Sequence, residues 1–164
     1  MKISRNEYQI LFLFAFAISL QFLLNPFTWL ELGVLYAMGM AFEFLTQDAW
    51  DYNPDLKDST FTYPGKDVNF IFGLGWVSVV LTGYTIGTMF PFGEFWSLVA
   101  GIFITGNILE RLFLALGLWT YNEEHWSVTL WTGKPIMTDI GIPVSVTQGY
   151  INIGCLAALI VKYV

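Results

Sequence analysis

Ionisable side chains are scarce in this 164-residue chain, so those that interrupt apolar sequence carry the first chemical signal. Glu43 falls within the apolar stretch 29–45, and Glu110 and Arg111 fall within 95–118, with Asn107 three residues ahead of Glu110. A charge in hydrocarbon costs on the order of 3 kcal/mol by insertion scales, so such groups turn towards a protein interior or a cavity. A carboxyl held there can keep a proton and deliver it to a substrate as a general acid. Asn107 and Glu110 project from nearly one helix face and can share a ligand or each other. Glu110 and Arg111 are adjacent, point about 100° apart, and need not pair. The plainer role for each is a polar link between helices or a charge reaching to the membrane surface.

A second set of carboxylates lies in the run from Asp48 through Asp51 and Asp55 to Asp58. A calcium loop uses oxygen ligands at alternating positions, as Asp51, Asn53 and Asp55 provide, but needs glycine where Leu56 stands and glutamate where Thr62 stands. The spacing Asp48-x-x-Asp51-x-x-x-Asp55 resembles the first aspartate motif of intramembrane prenyltransferases. That resemblance implies Mg2+ gripping an isoprenoid diphosphate. Those enzymes carry about nine spans and a second aspartate motif, where this chain offers only Glu123-Glu124 and Asp139, and Pro54 breaks the helix. The expectation is therefore an acidic loop without a metal, with Mg2+ as the alternative.

Other chemistries are excluded by residue type. The single histidine, His125, cannot assemble a histidine-rich metal site. No lysine sits mid-span to form a retinal Schiff base, and no phosphate loop, nucleophile elbow or dinucleotide fingerprint occurs. The one cysteine, Cys155, lies in an apolar run and reads as packing. A net charge of −6 and a pI near 4.5 leave no basic stripe for a nucleic-acid partner.

The elements that position these residues follow from composition. The chain is 55% hydrophobic and 18% aromatic, with only 12% charged residues against roughly 25% in soluble domains. Five stretches approach the 20 or so apolar residues that span a bilayer: 8–24, 29–45, 68–90, 95–118 and 142–161. They predict an all-α polytopic membrane protein with one transmembrane domain over residues 1–164. The first stretch follows Lys2 and Arg5 like a signal peptide, but no small-residue cleavage site follows, so it is expected to stay as a helix. Lys2, Arg5, Lys57, Lys66 and Lys134 fall on one side of a five-span arrangement and only Lys162 on the other. That asymmetry predicts a cytoplasmic amino terminus and cytoplasmic loops at about 46–67 and 119–141. Trp29, Trp50, Trp96, Trp119, Trp126 and Trp131 are expected at the membrane interfaces.

Two segments align in parallel: Glu43, Trp50-Asp51-Tyr52-Asn53, Gly65-Lys66 and Gly75-Trp76 against Glu110, Trp119-Thr120-Tyr121-Asn122, Gly133-Lys134 and Gly149-Tyr150. The alignment predicts two helix–loop–helix units, about 29–90 and 95–161, related by an axis along the membrane normal. Gly83-x-x-x-Gly87 predicts a close helix contact, within the chain or with another subunit.

An intramembrane glutamate followed by Trp-x-Tyr, a loop and a Gly or Pro opening another helix resembles the small polytopic proteins of carotenoid biosynthesis, the lycopene cyclase domain and the related carotenoid hydratases. Ala49-Trp50-Asp51-Tyr52-Asn53, Gly117-Leu118-Trp119-Thr120-Tyr121-Asn122 and Gly141-Ile142-Pro143 carry the likeness. Where those cyclases carry Pro-x-Glu-Glu, this chain reads Pro64-Gly-Lys-Asp67 and Pro135-Ile-Met-Thr-Asp139. The resemblance implies cofactor-free, proton-driven chemistry on a polyene or prenyl lipid. In that expectation Glu43 and Glu110 exchange the proton and Asp67 and Asp139 assist at the mouth. Trp50, Tyr52, Asn53, Asn107, Arg111, Trp119, Tyr121 and Asn122 line the substrate pocket. The alternatives are a small carrier or channel using the buried carboxylates, an accessory subunit bound to other membrane subunits, and self-association as a homo-oligomer.

Overall fold

The computed structural model describes residues 3–57, 61–64, 68–130 and 133–163. Helix α1, Arg5–Leu24, begins where Ser4 accepts from the Glu7 amide and the Glu7 carboxylate accepts from the Ser4 amide. This reciprocal cap satisfies two orphan donors and starts the helix three residues ahead of the apolar stretch. Helix α2, Trp29–Thr46, uses the same device with Thr28 and Glu31. Helices α4, Ile71–Gly87, and α5, Glu94–Ala115, form the middle of the bundle, and α7, Val144–Tyr163, completes it.

Two helices are shorter than their apolar stretches, for local reasons. α4 starts at Ile71, directly after a turn in which the Asn69 side chain accepts from the Ile71 amide at 2.9 Å. α5 stops at Ala115, not at 118, because Gly117 turns left-handed at φ +70°. The Gly117 amide then donates to the Leu114 carbonyl and the Leu118 amide to the Phe113 carbonyl.

The two segments expected as plain loops contain order. After a 3-10 turn at Gln47–Ala49, strand β1, Trp50–Tyr52, pairs antiparallel with strand β2, Trp119–Tyr121. Short helices α3, Pro54–Lys57, and α6, Trp126–Thr129, follow the two strands.

α4 packs against α1, α2 and α5, and α5 also packs against α7, whereas α2 and α7 meet at only a few points. Gly83 and Gly87 of α4 lie against Ser97, Gly101 and Ile102 of α5, and a Cβ at Gly101 would run into the Gly83 carbonyl. The small-residue face thus serves a contact within the chain. Ile10, Leu81, Ile102, Leu118 and Ile142 are fully buried, while Phe12, Phe22, Leu23, Leu45 and Met89 face outward. α1, Trp29–Ala49, α5 and α7, of 20 to 22 residues each, are long and apolar enough to cross a membrane, and the 17-residue α4 is an apolar helix of shorter length. Four such helices carrying large exposed apolar side chains mark an integral membrane protein.

Candidate functional site

Strand pairing ties the carboxyl-terminal ends of α2 and α5 together, because β1 follows the first and β2 the second. The register sets Trp50 opposite Tyr121, Asp51 opposite Thr120 and Tyr52 opposite Trp119. Strand side chains alternate with a period of two, which separates Asp51 and Thr120, both exposed, from the aromatic residues beside them. Both crossings end in asparagine, and the two make matching bonds. The Asn53 amide donates to Leu118 O at 2.8 Å and the Asn122 amide to Ala49 O at 2.9 Å. Their side-chain nitrogens donate to Gly117 O at 3.1 Å and Asp48 O at 2.9 Å. Their side-chain oxygens accept from the amides of Asp55 at 3.0 Å and Glu124 at 3.1 Å. Each asparagine thereby stitches its own strand to the other segment.

The strands present donors to the two glutamates. Glu43, 6% exposed, accepts from the Tyr52 hydroxyl at 2.7 Å and from Trp76 Nε1 at 2.8 Å. Glu110, 4% exposed, accepts on Oε1 from Trp119 Nε1 at 2.9 Å and the Tyr121 hydroxyl at 2.6 Å, and on Oε2 from the Tyr150 hydroxyl at 2.7 Å. Among the described residues, all of these donors are aromatic ring groups. Burial, then the charge of Glu110, pushes the Tyr121 phenol well above its ordinary range, so it remains a donor across the working pH range.

Glu43 and Glu110 line one cavity of about 290 Å³ between α2, α4, α5 and α7. Trp50, Tyr52, Phe72, Trp76, Phe113 and Trp119 supply aromatic walls, and Val79, Leu109 and Ile153 aliphatic ones. Tyr52 and Phe72 stack at 4.7 Å, and Trp119 meets both edge-on at 6.0 and 6.2 Å. Such a site can hold an apolar group against two carboxyl groups.

The residues singled out in the sequence divide clearly. Glu43, Glu110, Trp50, Tyr52 and Trp119 come together at the cavity. Trp50 and Trp119 therefore turn inward, whereas Trp29, Trp96 and Trp126 are exposed and Trp131 lies outside the described residues. Tyr121 lies outside the cavity wall but holds Glu110. Asn53 and Asn122 bond backbone at the strand crossing. Asn107 joins helices, accepting from Thr147 Oγ1 at 3.0 Å and donating to Phe103 O at 2.7 Å. Arg111 and Asp139 are exposed and are not part of the cavity wall, and Asp67 lies outside the described residues. Asp48, Asp51 and Asp55 are exposed, and among the described residues no three Asp, Glu, His or Cys side chains group so as to hold a metal ion. Asp48 and Asp51 line a shallow surface cleft with Glu123 and Glu124, apart from Asp55 in α3.

Trp76 and Tyr150 were not among the expected site residues, yet each donates to a glutamate. Both follow the glycine of the aligned Gly75-Trp76 and Gly149-Tyr150 pairs, which was the available signal. The chain matches no protein-family model, no curated protein and no solved structure.

Proposed function

We propose that this protein is an intramembrane acid/base enzyme acting on an isoprenoid or polyene lipid, of cyclase, hydratase or isomerase type. The observation that carries this is the convergence of two buried carboxyl groups on one largely apolar, aromatic-walled cavity. A carboxyl O–H bond breaks as its proton joins one carbon of a double bond, and the π electron pair forms the new C–H bond. The resulting carbocation lies among aromatic faces, each able to stabilise it by about 0.5 to 2 kcal/mol. A second double bond attacking that carbon closes a ring and moves the cation, which loses a neighbouring proton to the other carboxylate; water adding to the cation and passing its extra proton to that carboxylate makes an alcohol; direct loss of a neighbouring proton to it restores a double bond. Tyr52, Trp76, Trp119, Tyr121 and Tyr150 hold the carboxyl groups in place through the transfer.

In the same proposal α4 is a fifth crossing, and α2 with α4 and α5 with α7 are two copies of one unit. The matching asparagine bonds and the matching donors Tyr52 with Tyr121 and Trp76 with Tyr150 support this. The end of the bundle that holds β1, β2 and the cavity is cytoplasmic, as the distribution of lysine and arginine favours.

The test is expression in cells that accumulate a linear polyene, with chromatography and mass analysis of the pigments. A new product formed by the native protein and absent with Glu43→Gln or Glu110→Gln is expected. Unchanged pigment, together with a Glu110-dependent ion flux in reconstituted vesicles, would replace the enzyme with a carrier.

A further inference from the structure

The mouth of the cavity holds two polar side chains that the acid/base chemistry does not use. Gln148 and Asn152 of α7 both line it, both are exposed, and neither has a hydrogen-bond partner among the described residues. Four residues apart, they project within about 40° of each other on the helix. Tyr150, between them, points some 160° away and reaches Glu110 at 2.7 Å. The amides therefore sit at the rim while Tyr150 sits deep in the protein. Beside them, α2 and α7 scarcely touch and a Cβ at Gly149 would meet no atom within 4 Å, so the rim stays open. The exposed Trp126 ring edges it on the α6 side.

Two amides on one face of a membrane helix, at the mouth of a cavity and without a partner among the described residues, are free to bond a polar group of whatever enters it. Their position on the wall of the cavity, not on a surface remote from it, sets them within reach of a ligand inside.

We infer that Gln148 and Asn152 hydrogen-bond a hydroxyl or carbonyl oxygen of the isoprenoid lipid whose apolar end fills the cavity. This rests on the proposed polyene site and narrows it to oxygenated substrates. The lipid enters sideways between α2 and α7, apolar end first, and the amides stop its oxygen at the rim.

The probes are all-trans-retinol and the same polyene lacking the hydroxyl, titrated into the native protein in lipid nanodiscs. Quenching of the cavity tryptophans reads binding independently of turnover. Retinol should bind about fivefold tighter than the hydrocarbon, and the Gln148→Leu/Asn152→Leu double variant should bind both equally. Equal affinity of the native protein for the two probes, with strong quenching by each, overturns the amide role and leaves the polyene site standing. Quenching by neither overturns both. A preference for retinol that survives in the double variant, while the variant changes from dimer to monomer, overturns the inference and assigns the amides to an interface between copies.

Discussion

Glu110→Gln and Glu110→Ala separate chemistry from folding at one position. Three donors converge on this carboxylate, from Trp119 at 2.9 Å, Tyr121 at 2.6 Å and Tyr150 at 2.7 Å. Glutamine satisfies the same set: its oxygen accepts from Trp119 and Tyr121, and its N–H donates to the Tyr150 hydroxyl, which turns to accept. Its cost should stay near 1 kcal/mol, while its inability to give up a proton should lower turnover at least about 100-fold. Alanine leaves all three donors without an acceptor. The two phenols can rotate towards the cavity, but the indole N–H cannot re-aim. One fully stranded donor and two weakened ones amount to about 3 kcal/mol, or roughly 6 to 12 °C in melting temperature for a chain of this length. Thermal unfolding of the three proteins in one detergent, followed by tryptophan fluorescence, measures the difference, and pigment chromatography measures turnover. The reasoning is refuted if the alanine variant melts with the glutamine variant, or if the glutamine variant still turns over substrate.

Asn53→Ala and Asn122→Ala should each destabilise by about 1 kcal/mol and by similar amounts, because their bonds correspond. Because the strands they stitch are paired, the double variant should depart from additivity in a thermal double-mutant cycle. Gly101→Leu should prevent α4 and α5 from closing and abolish a cooperative melt, since even a Cβ there meets the Gly83 carbonyl. Gly149→Leu should melt like the native protein yet lose tryptophan quenching by retinol, since its side chain would grow into the open cavity. Asn107→Leu and Thr147→Val should show a coupling near 0.6 kcal/mol in a stability cycle, the value typical of hydrogen bonds between membrane helices.

Much of the helical framework was legible in the residues because apolar length is a local property. All five expected stretches coincide with helices to within a few residues, and three of the departures sit at local devices: the Ser4–Glu7 cap, the Asn69 turn and left-handed Gly117. The strand pair was less accessible. Trp50-Asp51-Tyr52 and Trp119-Thr120-Tyr121 carry a period-two signal only three residues long, and each strand gains its backbone partners only when packing of α2 and α5 against α4 brings the ends of the two helices together. Glu43 and Glu110 stood out as carboxylates within apolar sequence, and both are buried at the cavity. Asn107 and Arg111 were chosen for their nearness to Glu110 in sequence and Asp139 from the resemblance, but Asn107 bonds Thr147, and Arg111 and Asp139 are exposed away from the cavity.

Composition alone determined that this chain builds apolar helices and that its few internal carboxylates need shelter, because the cost of charge in hydrocarbon does not depend on topology. Which side chains provide that shelter was decided by tertiary structure. Trp76 and Tyr150 lie 33 and 40 residues from the glutamates they serve, and Glu43 and Glu110 share a cavity because α2 and α5 both pack on α4 while β1 and β2 join the ends of their helices. Such distances close only when a chain packs, and no local pattern encodes them.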